Sequence, residues 1–182
     1  MNHIMIDLET LNNTPDSVIV AIGAVAFDKD SVLDKEAFYV IVDIDSCLKS
    51  GLTIGGDTLG WWAKQSPKAQ AVLHASPRTD LETALDQLNN FIIKHTNNQH
   101  RSAKVWGNGA AFDQPILRTA YARTGKKPAW EFYNEMCYRT LKNAHKDVPP
   151  VKPVIAHHAA HDSLAQAKHL IQINKKAGGI YL

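Results

Sequence analysis

The sequence is short of cysteine, of long apolar runs and of repeats, and each shortage narrows what the chain can be. Only Cys47 and Cys137 occur in 182 residues, far apart and in no CxxC pattern. That spacing excludes a disulfide framework and predicts two reduced thiols in or near the core. The longest uninterrupted non-polar run, VIVAIGAVAF from Val18 to Phe27, has ten residues. A membrane-spanning helix needs about 20, so no membrane span is expected. The opening MNHIMIDLET has no basic segment leading into an apolar stretch and a small-residue cleavage site. No secretory signal is read, and a cytoplasmic protein is expected.

What is present fits an ordinary globular chain, with 45% hydrophobic and 21% charged residues. The length suits one domain over residues 1–182, burying roughly two-thirds of its unfolded surface. The net charge of +2 hides an asymmetry. Residues 1–100 carry 7 Lys and Arg against 13 Asp and Glu, a net of −6, whereas residues 101–182 carry 13 against 5, a net of +8. This pattern suggests an acidic, metal-holding region beside a basic surface suited to a polyanion, although chance segregation of exposed charges explains it as readily.

The patterning begins with strands: HIMIDL, SVIVAIGAVAFD and KEAFYVIVDI, rich in Val, Ile and Phe and joined by short polar connections, predict an antiparallel meander. Thr58–Ala63 and Pro67–Leu73 read as short helices. Thr79 to Glu82 fits a capping box opening a helix over about 80–95, with Leu81, Leu85, Leu88 and Ile92 at helical spacing. AKVWGN at 103–108 predicts a buried strand, and FDQPILRTAYARTG a helix stopped at Gly125. A short strand is expected near Phe132–Tyr138, and the proline-rich Asn143–Ile155 reads as an extended loop. A last helix should begin near Asp162, bury Leu164, Ala167 and Ile171, and end before Gly178. Strands followed by alternating helices and strands argue for an α/β fold with a mixed sheet flanked by helices.

One short stretch, IMIDLETL, sets two acids in an apolar strand. Side chains two apart on a strand leave from the same face, so Asp7 and Glu9 point together. Burying neighbouring carboxylates is costly unless a cation neutralises them, and oxygen ligands are what Mg²⁺ and Mn²⁺ prefer. Taken alone, D-x-E is more often a solvated strand end. WGNGAAFD places Asp113 at or in the first turn of a helix, where an acid is also a common cap. HHAAHD places Asp162 at the start of the last helix, with His157 five residues before it.

Together these segments resemble the three motifs of the DEDDh branch of the DnaQ-like exonucleases, whose fold is RNase H-like. D-x-E-T is matched by Asp7, Glu9 and Thr10; N-x-x-F-D by Asn108, Phe112 and Asp113; H-x-x-x-x-D by His157 and Asp162. The resemblance spans nearly the whole chain. The P-D-S-V-I-V-A-I-G strand, the tryptophan pair of TLGWWAKQS and WGNGAAFDQPIL further resemble small stand-alone exonucleases of phage and prophage type. The resemblance implies a mixed five-stranded sheet and a 3′-to-5′ exonuclease that releases nucleoside 5′-monophosphates. It also implies that Asp7, Glu9, Asp113 and Asp162 hold two Mg²⁺ or Mn²⁺ ions that clamp the scissile phosphate, with His157 as general base. The partner is then single-stranded DNA or RNA with a free 3′ end, and a homodimer is expected.

Substrate contacts are expected from Thr10 and Leu11, which follow the first motif, from Asn108 and Phe112, and from Trp61 as a base-stacking platform. Adjacent tryptophans on a short helix face different ways, so at least one of Trp61 and Trp62 belongs to the core. Arg118, Arg123, Lys126 and Lys127 are further phosphate candidates, equally explained as a solvated helix face. His158 and His161 crowd His157, but H-H-A-A-H lacks the glutamate of a metalloprotease motif. Two alternatives stand beside this reading. A catalytically silent nucleic-acid-binding domain of the same fold would not need the intact acids and histidine. Another RNase H-like nuclease or a transposase-type enzyme would order its carboxylates differently.

Overall fold

The computed structural model describes residues 1–96 and 102–182. Its centre is a five-stranded mixed sheet built from β1 (His3–Thr10), β2 (Ile19–Phe27), β3 (Phe38–Ile41), β4 (Lys104–Gly107) and β5 (Glu135–Cys137), in the order β3-β2-β1-β4-β5. The first three strands form the antiparallel meander, and β4 and β5 add in parallel to β1. The described residues form seven α-helices: α1 (Ile44–Lys49), α2 (Gly56–Trp62), α3 (Pro67–His74), α4 (Leu81–His95), α5 (Asp113–Arg123), α6 (Tyr138–Ala144) and α7 (Ala159–Lys176), of which α1 and α6 were not read from the sequence. No helix among the described residues is long and apolar enough to cross a membrane.

Strand alternation divides the core. Ile4, Ile6 and Leu8 of β1 join a large apolar cluster with Leu85, Leu88 and Ile92 of α4 and Ile116 and Leu117 of α5. Met5, on the opposite face, joins Trp106, Tyr138 of α6 and Leu170 of α7 in a second cluster. Because both faces are covered, β2 is buried along its whole length, which explains its unbroken apolar run. Cys47 is buried, Cys137 is partly exposed, and both are free thiols.

Three details depart from the sequence reading. Asp80, not Thr79, caps α4, its side chain accepting from the Thr83 backbone N–H at 3.0 Å. Thr79 is engaged elsewhere, its N–H donating to Ile41 and its carbonyl accepting from Asp43. The stretch expected as a strand near 132–138 contains only a three-residue β5, and α6 occupies Asn143 and Ala144, assigned above to the loop. Buried Tyr138 and partly buried Leu141, packed on the second cluster, hold that helical turn. Finally, α7 begins at Ala159, three residues before Asp162, and Ser163, Gln166 and Leu170 are buried whereas Leu164 is only partly so.

The early start of α7 has an identifiable cause at Gly23, which pairs with Asp7 across the sheet. A Cβ there would lie 2.1 Å from the Ala159 carbonyl carbon. With no side chain at that point, the first turn of α7 lies directly on β2 opposite the acid-bearing part of β1.

Candidate active site

Asp7 and Glu9 continue the face of β1 that carries Met5, so both project towards α7. Asp162 stands in the first turn of that helix. The result is a group of three carboxylates, Asp7, Glu9 and Asp162, with one oxygen from each lying within 4.8 Å of the others. They open onto a cleft of about 530 Å³ that Thr10, Asn108, Phe112, Trp61 and His157 also line.

Asp113 stands one layer behind. Only 2% exposed, it begins α5, and its Oδ2 accepts the Asn108 backbone N–H at 2.8 Å. It is nevertheless part of the same electrostatic group. Burial first, then repulsion from Asp113, Glu9 and Asp162, holds the Asp7 carboxyl well above the usual range, against a lowering hydrogen bond from Gln166. Burial, Asp162 and Asp113 push Glu9 up to about 8. Desolvation raises Asp113 to about 7, opposed by backbone hydrogen bonds and by the Arg139 charge. Asp162 is also raised by burial, although its Oδ2 accepts the His158 N–H at 3.0 Å. Four mutually repelling carboxyls, all biased towards the protonated form, would be relieved by bound cations.

His157 sits just before α7 with φ +60, a left-handed conformation uncommon for a side-chain-bearing residue. Its ring meets Trp61 edge-on, with centroids 4.8 Å apart. The neighbouring histidines point elsewhere: His158 stacks on Tyr39 at 4.3 Å and on His161 at 4.1 Å. The tryptophan pair divides as expected. Trp62 is 1% exposed and donates its indole N–H to the Thr10 carbonyl at 2.8 Å, pinning α2 to the end of β1, while Trp61 is 41% exposed on the cleft.

Leu11 does not line the cleft. It is 4% exposed and belongs to the large apolar cluster, because the chain turns inward after the irregular register between Glu9 and Thr10. Its N–H donates to Val18 and its carbonyl accepts from Gly55, fixing it in the core. The Thr10 hydroxyl donates to the Asn12 carbonyl at 2.7 Å. Arg118, Lys126 and Lys127 border a separate hollow between α4, α5 and residues 128–135. Arg118 pairs there with Glu135 and Lys126 with Asp86. Arg123 lies on a different surface of α5 and likewise misses the cleft.

Of the cleft residues that escaped the sequence reading, two act directly on the acids. Gln166, one helical turn beyond Asp162, donates to Asp7 Oδ1 at 2.7 Å, and its Oε1 is buried without a partner. The i, i+4 spacing from Asp162 was the available signal. Arg139, two residues beyond β5, is the only Lys or Arg lining the cleft among the described residues. Sites of open α/β sheets gather at the carboxyl ends of strands, but the end of so short a strand was not legible.

Comparison with known proteins gives the family and the fold. The family model described as the 3′-5′ exoribonuclease Rv2179c-like domain matches residues 2–177. No curated protein sequence is significantly similar. Among solved structures, the nuclease domain of 3′hExo, a DEDDh family member bound to rAMP, superposes with a TM-score of 0.60 at 13% identity, covering 97% of this chain and 93% of that one. Exonuclease X in complex with 5′ overhanging duplex DNA gives 0.57 at 16%, covering 97% and 93%. Cell-death related nuclease 4 gives 0.55 at 13%, covering 96% of this chain, which spans only 64% of that one. At these identities the likeness concerns the fold, which is RNase H-like with a mixed five-stranded sheet.

Proposed function

The chain belongs to the Rv2179c-like 3′-5′ exoribonuclease domain family, and on that premise we propose that it is a metal-dependent enzyme releasing nucleoside 5′-monophosphates from the 3′ end of single-stranded nucleic acid. RNA is the first substrate to consider, because the family is described as exoribonucleases, with single-stranded DNA second. The exonuclease domain is taken as residues 1–182, since the sheet draws strands from residue 3 to residue 137 and α7 packs across it as far as Ile173.

The observation that carries the reading is the convergence of Asp7, Glu9 and Asp162 within 4.8 Å beside His157 in one cleft. The donor set fits Mg²⁺ or Mn²⁺: all ligands are oxygens, and burial leaves them in need of positive charge. Asp7, Glu9, Asp113 and Asp162 would hold two such ions. When bound, the ions supply Lewis-acid charge that polarises the phosphodiester and favours attack by water.

The remaining work falls to side chains already in place. Gln166 orients the Asp7 carboxylate, and the Asn108 N–H orients that of Asp113. The imidazole of His157, held at the cleft by its left-handed backbone and by Trp61, accepts the proton of the attacking water. Trp61 offers an exposed indole face on which the terminal base stacks, and Phe112 and Thr10 border the same space. Exposed Phe132 and Tyr133, 67% and 68% accessible, offer apolar surface for the homodimer that belongs to the same reading.

The test uses 3′- and 5′-labelled single-stranded RNA and DNA with Mg²⁺, Mn²⁺ or EDTA. Mononucleotides should appear from the 3′ end only with metal. His157→Gln should lower kcat by about 10²-fold or more while Mn²⁺ binding measured by calorimetry is retained. Metal-independent cleavage, or full activity in His157→Gln, would refute the mechanism.

A further inference from the structure

The cleft is electrically lopsided. Its lining adds Asp57, near the start of α2, to the three converged carboxylates and holds a single Lys or Arg among the described residues, Arg139, on the wall shared with the hollow beside α6. Arg139 is exposed and makes no hydrogen bond or ion pair among the described residues, influencing Asp113 only through space. An arginine that feels the charge of Asp113 yet bonds to no carboxylate is placed for a different anion.

Its position is built in. The guanidinium lies along Gly109, whose φ is +144; a Cβ there would meet the Arg139 Cζ at 3.2 Å and its terminal nitrogens at 3.4 Å. A glycine therefore leaves a groove for the arginine head beside the turn that presents Asn108 and Asp113. Phe112 and Arg139 also form the shared wall between the cleft and a second hollow of about 430 Å³. That hollow runs between residues 109–112 and α6, with Thr140 and Asn143 among its lining residues. It contains no acidic side chain among its lining residues.

We propose that Arg139 grips the phosphate immediately upstream of the scissile one, and that the substrate strand leaves the cleft over Phe112 into the groove beside α6. The proposal rests on the exonuclease reading above and adds to it a direction for the strand and a second phosphate site. Charge decides the direction: a polyanion passing out by Asp57 would meet like charge, whereas the Arg139 side offers a planar fork of donors matched to phosphate oxygens. Arg139 thereby makes the enzyme prefer chains to dinucleotides, because a dinucleoside monophosphate has only the scissile phosphate.

The experiment compares kcat/KM for a dinucleoside monophosphate and a trinucleoside diphosphate in the wild-type protein, Arg139→Ala and Arg139→Lys. The trinucleotide preference of the wild type should fall about 10-fold in Arg139→Ala, the usual scale for one charge-assisted contact, and less in Arg139→Lys. A ratio that is the same in wild type and Arg139→Ala overturns the proposal, whether the two rates fall together or not at all. Binding of a single-stranded oligonucleotide supplies a readout that needs no turnover. The slope of log K against log salt should be shallower by about 0.7 in Arg139→Ala, the value for one phosphate on a single strand; an unchanged slope overturns the proposal. If the wild type hydrolyses neither substrate, the exonuclease reading fails by itself, and the salt slope still decides whether Arg139 holds a phosphate.

Discussion

The two faces of β1 solve opposite problems within eight residues. On one, Ile4, Ile6 and Leu8 lock into α4 and α5 and are fully or almost fully buried. On the other, Met5 gives way to Asp7 and Glu9, whose carboxyls burial and mutual repulsion drive towards protonation. The first face stabilises the fold by removing apolar surface from water. The second opposes it, and is tolerable because the first secures the strand. Stability and chemistry are therefore separable here residue by residue along one strand.

The largest expected departure from that symmetry is Asp7→Asn. It should lower activity by about 10³-fold, the loss typical of deleting a key electrostatic group. It should also raise the melting temperature of the metal-free protein, because one of four repelling acids is gone. A lower melting temperature would show that Asp7 holds the fold together. Ile6→Ala makes the converse cut: unfolding in urea should cost about 2–5 kcal/mol less, the range for truncating a buried aliphatic, with turnover per folded molecule nearly unchanged.

A pH titration sharpens the contrast further. Glu9 at about 8, Asp113 at about 7 and raised Asp7 all bind protons more tightly folded than unfolded. Their contribution is thus fully present below the unfolded carboxyl range near pH 4 and is lost as pH rises through 7 to 8. The melting temperature in EDTA should fall over that interval, and Mn²⁺ should flatten the decline; a decline equally steep with Mn²⁺ would count against cation relief. The smallest effect is expected far from the acids. Asp80→Ala removes the α4 cap and should cost about 1 kcal/mol in urea unfolding without altering the metal requirement.

Much of this was legible because it rests on periodicity. The alternation of β1 announced that Asp7 and Glu9 share a face, and the helical spacing from Leu81 to Ile92 announced α4. The legible parts of the site were those with a fixed offset, such as His157 and Asp162. Leu11 misled because adjacency in sequence is not adjacency in the cleft: one irregular register step turned it into the core. Arg139 was hidden because its importance lies in what surrounds it, namely a glycine 30 positions earlier that makes room and the absence of a carboxylate partner. The start of α7 was misplaced for a similar reason, since the clearance at Gly23 belongs to a strand far away in the chain.

That clearance also orders events in time. Asp162 and His157 reach the cleft only when α7 settles on Gly23, and α7 follows every strand of the sheet in the chain. While the polypeptide is still being synthesised, the strands that carry Asp7, Glu9 and the turn before Asp113 precede α7, so the fourth acid and the proposed base arrive last. On the proposed mechanism, a chain would then stay harmless to the messenger beside it until one late helix docks where Gly23 lacks a methyl group.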